Sequence, residues 1–162
     1  MTASDYLVTA EEIQAMEGLK KVHFLNPNAV RINKSLGDLT GLTGIGFHII
    51  EVLPGHETTE LHVHHHEDEC VYVLAGTATA TIGENTFPIK TGDFIGYRKS
   101  GLPHTIVNTG NDVLRCIVVG ERSPHDVGDY PRQRKRIFRH AGLKPNLVDH
   151  SAIEEPTMGA KV

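Results

Sequence analysis

The sequence predicts an all-β chain closed into a small sandwich or barrel. Three observations carry that expectation. Short runs rich in Val, Ile, Thr and Phe recur through the middle of the chain, turn residues separate them at short intervals, and helical spacing is confined to the amino-terminal end. At 162 residues the chain fits one domain with tails, since single cores commonly use about 100 to 200 residues.

Taken in order, Thr9-Ala10-Glu11-Glu12 has the Ser/Thr-x-x-Glu form of a capping box, and Ile13, Met16 and Glu17 continue at helical spacing up to Gly18. One short helix is expected there. Strands are expected over residues 29–33, 44–53, 61–64, 69–74, 77–82, 85–89, 94–97, 104–108 and 113–119. Reversals fall at Pro54-Gly55, Ala75-Gly76, Gly83-Glu84, Thr91-Gly92-Asp93, Gly101 and Gly110-Asn111-Asp112, where Gly, Pro, Asn and Asp supply turn geometry. Many short, closely spaced strands point to a sandwich or barrel. Beyond Gly120 the pattern weakens: residues 121–131 read as an irregular connection, 135–139 as an outer strand, and 144–162 as an irregular tail. The expected organisation is a helix and extension over 1–28, a barrel over 29–120, and a carboxy-terminal connection, outer strand and tail over 121–162.

Composition narrows the function classes. Hydrophobic residues at 39% and charged residues at 22% are ordinary for a soluble globular chain. A net charge of −4 and a pI near 6.2 give no global attraction for nucleic acid or anionic lipid. The basic run Arg132, Arg134, Lys135, Arg136 and Arg139 has no stacking aromatics between its charges, so it reads as a solvated strand face or an oligomer contact. Residues 1–20 lack a basic start followed by an apolar run, and no segment approaches the roughly 18 apolar residues of a membrane span, so a cytoplasmic protein is expected. Cys70 and Cys116 lack metal or redox spacing and sit in apolar runs, as buried structural thiols do.

Chemistry concentrates in HVHHHEDEC, residues 62–70. Alternation along a strand puts His62 and His64 on one face and Val63 on the other. Residues 65–68 then read as an exposed polar turn, and Glu69 opens the next strand near the same end. His104 opens another strand after Gly101-Leu102-Pro103 and approaches from a different direction. Three imidazoles and one carboxylate suit one divalent transition metal ion, a donor set that does not select among Mn, Fe, Co, Ni, Cu and Zn. Tyr97 and Arg98, following the Gly92-Asp93 turn, are candidates for holding an anionic substrate group, and the planar fork of Arg98 favours it over Lys99.

The stretch GHETTELHVHHHEDECVYVLAG, residues 55–76, resembles the first motif of the cupin family through Gly55, His62, His64, Glu69 and Gly76. The stretch GDFIGYRKSGLPHTIVN, residues 92–108, resembles the second through Gly92, Gly101, His104 and Asn108. One extra residue separates Gly55 from His62, one precedes Gly101, and Arg98 stands where the family often has Pro. The resemblance implies a double-stranded β-helix barrel of the jelly-roll type, commonly dimeric, with His62, His64, Glu69 and His104 as metal ligands. The segment VGERSPHDVGDYPRQRKRIF adds a looser likeness to single-domain bacterial cupins described as sugar-phosphate-isomerase-like or uncharacterised.

Four protein ligands on a six-coordinate ion leave room for a substrate. An enzyme using the ion as Lewis acid on a small oxygenated molecule, such as a sugar or sugar phosphate, is the leading expectation. A dioxygenase and a non-catalytic ligand-binding cupin are the alternatives, because fold and metal shell are shared across chemistries.

Overall fold

The computed structural model describes residues 2–157 and 159. The expected helix is α1, Ala10–Ala15; Thr9 caps it, its hydroxyl accepting from the Glu12 amide while the Glu12 carboxylate returns to the Thr9 amide. A second helix not expected from sequence, α2, Leu36–Leu39, forms a single turn between strands.

The strands are β1 Leu19–His23, β2 Asn26–Ser35, β3 Ile45–Val52, β4 Val63–His64, β5 Glu69–Ala75, β6 Thr77–Ile82 and β7 Asn85–Lys90. They continue with β8 Phe94–Tyr97, β9 His104–Val107, β10 Leu114–Glu121, β11 His125–Tyr130, β12 Lys135–His140 and β13 Asn146–Asp149. One wall is a six-stranded sheet in the order β1-β2-β3-β10-β5-β8. Facing it are a three-stranded sheet, β7-β6-β9, and a four-stranded sheet, β13-β12-β11-β4. The isolated bridge His62↔His104 joins those two smaller sheets into one wall.

The core lies between the walls. Ile50, Val52, Val71, Val73, Leu114 and Cys116 point in from the large sheet, and Ala78, Ala80 and Ile106 meet them from the other side. Period-two alternation produces this: in β6, TATATI, the alanines face in and the threonines out. Gly76 closes the β5–β6 turn at φ +94°, where a Cβ would stand 3.1 Å from the Leu114 Cα and the Val113 carbonyl. The jelly-roll class expected from sequence is the fold observed.

The carboxy-terminal reading needs correction. Residues 125–130, taken from sequence as part of an irregular connection, form β11, which pairs with both β12 and β4. The segment expected to be an irregular tail contributes β13, so strand structure extends to Asp149; Met158 and residues 160–162 of that expected tail lie outside the described residues. Within the basic run Arg136 and Arg139 are paired inside the chain, while Arg132 and Arg134 stay exposed. Asp126 stands opposite Arg139 and Asp129 opposite Arg136 in the β11–β12 register, and both pairs are hydrogen-bonded. At the other end, β1 extends the large sheet from within the segment expected to hold only a helix and extension. Cys116 is buried, as expected, whereas Cys70 is only partly so.

Candidate metal centre and ligand cavity

His62 and His104 are neighbours because their backbones form a reciprocal antiparallel pair, His62 N to His104 O at 3.2 Å and His104 N to His62 O at 2.8 Å. That pairing sets their rings side by side, with centroids 4.6 Å apart. Glu69 reaches the same point from β5, on the inward face it shares with Val71 and Val73, and its Oε1 lies 3.6 Å from His104 Nε2. The cluster therefore sits where all three sheets meet, and His62, Glu69 and His104 each offer a donor atom within 4.8 Å of the others.

The hydrogen bonds decide which nitrogen each imidazole presents. A carbonyl oxygen only accepts, so His62 Nδ1 donates to the Glu60 carbonyl at 2.9 Å and His104 Nδ1 to the Leu102 carbonyl at 3.3 Å. His64 Nδ1 donates in the same way to the Asp126 carboxylate at 2.7 Å. In the neutral form each ring is thereby left with its lone pair on Nε2, the arrangement that orients ligating histidines. At His64 burial lowers the pKa, but the bond to Asp126 and the charge of Glu69 outweigh it and raise it. His104 Nε2 is buried with no hydrogen-bond partner among the described residues. A buried acceptor left open beside a carboxylate is satisfied by a cation, so the donor set fits a divalent ion.

Electrostatics agree. Burial, and after it the neighbouring imidazoles, hold His62 down to about 3, against the pull of Glu69. Burial pushes Glu69 up, yet His104, His62 and His64 outweigh it and bring the carboxyl down to about 2. Near pH 7 this pair offers a neutral imidazole and an ionised carboxylate, the protonation states a metal needs.

His64 stands beside these three residues, its ring centroid 4.9 Å from that of His62, rather than within the tight group. It also belongs to a second cluster with Glu67 and Asp126. Arg139 already occupies that cluster, donating to Asp126 at 2.6 Å and to Glu67, so its charge is met from within the chain. Glu67, expected in an exposed turn, is buried because Arg139 and the Ser123 amide both bond it.

A cavity of about 390 Å³ opens onto this cluster, lined by His62, His64 and Glu69 together with Arg31, His23 and His48. His23 Nδ1 accepts from the Leu25 amide at 3.1 Å and His48 Nδ1 from the Asn33 side-chain amide at 3.2 Å. Their neutral rings therefore carry the proton on Nε2, opposite to the ligand histidines, and burial lowers both pKa values so that the neutral form prevails near pH 7.

Tyr97 and Arg98 differ in burial. Tyr97 is buried rather than at the rim, its ring parallel to His104 with centroids 3.5 Å apart. Arg98 is exposed and does not line the histidine cavity; it borders a neighbouring groove of about 650 Å³ with Ile45, Leu102 and Val119, which Glu69 and Tyr97 also line. Alternation along β8 is the reason, since it turns Tyr97 inward and leaves Arg98 beyond the strand end. The arginine inside is Arg31, on β2 between Ala29 and Asn33, both buried on the same face. Sequence offered no signal for it beyond alternation in a short run.

Comparison with known proteins agrees with this architecture. Residues 48–120 match the family described as Cupin domain. A protein of known structure from Acidithiobacillus ferrooxidans, provisionally named a sugar phosphate isomerase, is 48% identical, covering 96% of this chain and 99% of that one at a TM-score of 0.93. An oxalate-binding protein of Thermotoga maritima is 30% identical over 116 residues, covering 69% of this chain and 86% of its own. An uncharacterised protein of Methanocaldococcus jannaschii is 35% identical over 66 residues, 41% of this chain and about half, 52%, of its own length. The chain belongs to the cupin superfamily. Among the described residues no helix is long and apolar enough to cross a membrane.

Proposed function

We propose that the protein is a metal-dependent cupin enzyme acting on a small oxygenated molecule, with sugar or sugar-phosphate isomerisation as the reaction class. His62, His64, Glu69 and His104 are the proposed ligands. The observation that carries this reading is the buried, unpartnered Nε2 of His104 beside an ionised Glu69. The relative from Acidithiobacillus ferrooxidans, similar over nearly the whole chain, supports the reaction class.

A divalent ion at this point supplies Lewis-acid polarisation of a carbonyl or hydroxyl oxygen. The chain's own residues do the rest. Glu60, Leu102 and Asp126 hold the ligand rings in one tautomer. Tyr97 stacks flat on His104 and, with Ile50, Val71 and Ile106, lines a small pocket of about 20 Å³ behind the site. The Nε2–H groups of His23 and His48 face a substrate as neutral donors able to bind a carbonyl or hydroxyl oxygen.

A second reading has support in the oxalate-binding relative: the same cavity, loaded with metal, retains a small acid without turning it over. A homodimer belongs to either reading. Tyr72 and Phe94, paired across β5 and β8 on the outer face, are 44% and 65% exposed and suit cover by a second copy. The reaction is tested by incubating metal-loaded protein with aldose and ketose phosphates and following the products by NMR. Turnover of any of them that a chelator abolishes is the expected result; retention of ligand without turnover across the set would favour the binding reading.

A further inference from the structure

The arginines bordering the cavity are not equivalent. Arg139 is held by Glu67 and Asp126, and Arg122 by Asp38 at 2.6 Å. Arg31 has no carboxylate paired to it among the described residues. Its Nη1 donates to the Thr58 carbonyl, and its Nε is buried without a partner. Burial lowers its pKa, with Glu69 pulling the other way, but a guanidinium remains protonated at any working pH.

A cation withdrawn from water without a counter-ion is costly, so a fold that keeps one beside a cavity has a use for its charge. Glu69, which lines the same cavity, makes no ion pair with Arg31 among the described residues and stands instead against His62 and His104. Once Glu69 serves a bound ion, the cavity holds a net positive charge at two separated points. His23 and His48, which line the same cavity, do not compete for an anion's charge, because their rings are neutral and offer N–H donors.

We propose that Arg31 is an oxyanion subsite of this cavity. Its ligand is a small oxygenated molecule carrying a phosphate or carboxylate, bound with that group on Arg31 and its hydroxyl or carbonyl end toward His62, Glu69 and His104. The planar fork of the guanidinium matches both groups in bidentate geometry. The first half of the proposal stands on the cavity alone; the orientation of the ligand rests on the metal reading above.

Thermal denaturation with inorganic phosphate and with oxalate tests it on the wild type, Arg31→Gln and His104→Ala, with metal content measured on each. At least one anion should raise the melting temperature of the wild type with increasing concentration. Arg31→Gln should weaken that anion's apparent affinity at least tenfold while leaving metal content unchanged, and His104→Ala should retain an Arg31-dependent shift after losing metal. Whichever anion gives the larger shift identifies the preferred group. An equal shift in Arg31→Gln, or no shift by either anion in the wild type, overturns the subsite. Failure of the metal reading looks different: no ion in the wild type, with the Arg31-dependent shift intact. Should Arg31→Gln not fold, Arg31→Lys decides, a several-fold loss of affinity supporting the bidentate subsite and unchanged affinity contradicting it.

Discussion

Single residues in this site act through the atom they turn away from the cavity. Asp126 is the clearest case, since its carboxylate accepts from His64 Nδ1, from Arg139 and from the His66 amide. Burial pushes its carboxyl up, but the bonds from His64 and Arg139 prevail and hold it well below the usual carboxylate range. Asp126→Asn keeps the volume and removes the charge that orients His64. The expected result is a metal affinity lower by about 10- to 100-fold with the fold retained, the range seen when such supporting carboxylates are removed. Competition against a chromogenic chelator measures it, and an unchanged affinity would show that His64 needs no such support. The same scale explains what sequence disclosed. His62, His64, Glu69 and His104 were legible because the spacing within two strand motifs is local. Arg31 and Asp126 were not, because each is one polar residue in an unremarkable stretch, and Arg139 was visible only as part of a basic run; Asp126 and Arg139 reach the site because β11 pairs with the distant β4.

At the scale of elements, β11 and β12 show how charge replaces apolar packing. Asp129 accepts two bonds from Arg136, at 2.7 and 2.9 Å, and one each from His65 at 2.9 Å and His150 at 3.2 Å. It thereby ties β11, β12, the turn after β4 and the carboxy-terminal tail together. Arg136, followed by partial burial acting the other way and then by His65 and His150, sets its carboxyl well below the usual range. A depressed carboxyl adds stability above its unfolded pKa of about 3.9 and loses it as pH falls toward the folded value. Amide hydrogen exchange should therefore rise in β11–β13 below about pH 4 before it rises in β10, and Asp129→Asn should bring that loosening to neutral pH. Simultaneous exchange in both regions would contradict it. Polarity also explains why β11 escaped the sequence reading. HDVGDY carries two aspartates and a glycine, whereas ECVYVLA in β5 is a nearly unbroken apolar run and TATATI in β6 alternates cleanly between Gly76 and Gly83. β1 and β13 were missed for the same reason, being mostly exposed.

For the molecule as a whole, the proposed ligands do not come from one element. His62 and His64 belong to the segment that joins the four-stranded sheet, His104 to the three-stranded sheet and Glu69 to the six-stranded wall, so an ion bound by them would hold both faces of the barrel at their meeting point. Binding only to the folded state stabilises it by about 2.7 kcal/mol when the free ion is at 100 times its Kd. Native mass spectrometry reads ion content and assembly together, and comparing the wild type with the double variant His62→Ala, His104→Ala is the most direct test of the site. The expected spectrum of the wild type is a dimer with about one divalent ion per chain, and the double variant should have lost the ion. A monomer mass at micromolar concentration would remove the dimer alone; a wild type that takes up no divalent ion, or a double variant that keeps its ion, would contradict the metal centre itself.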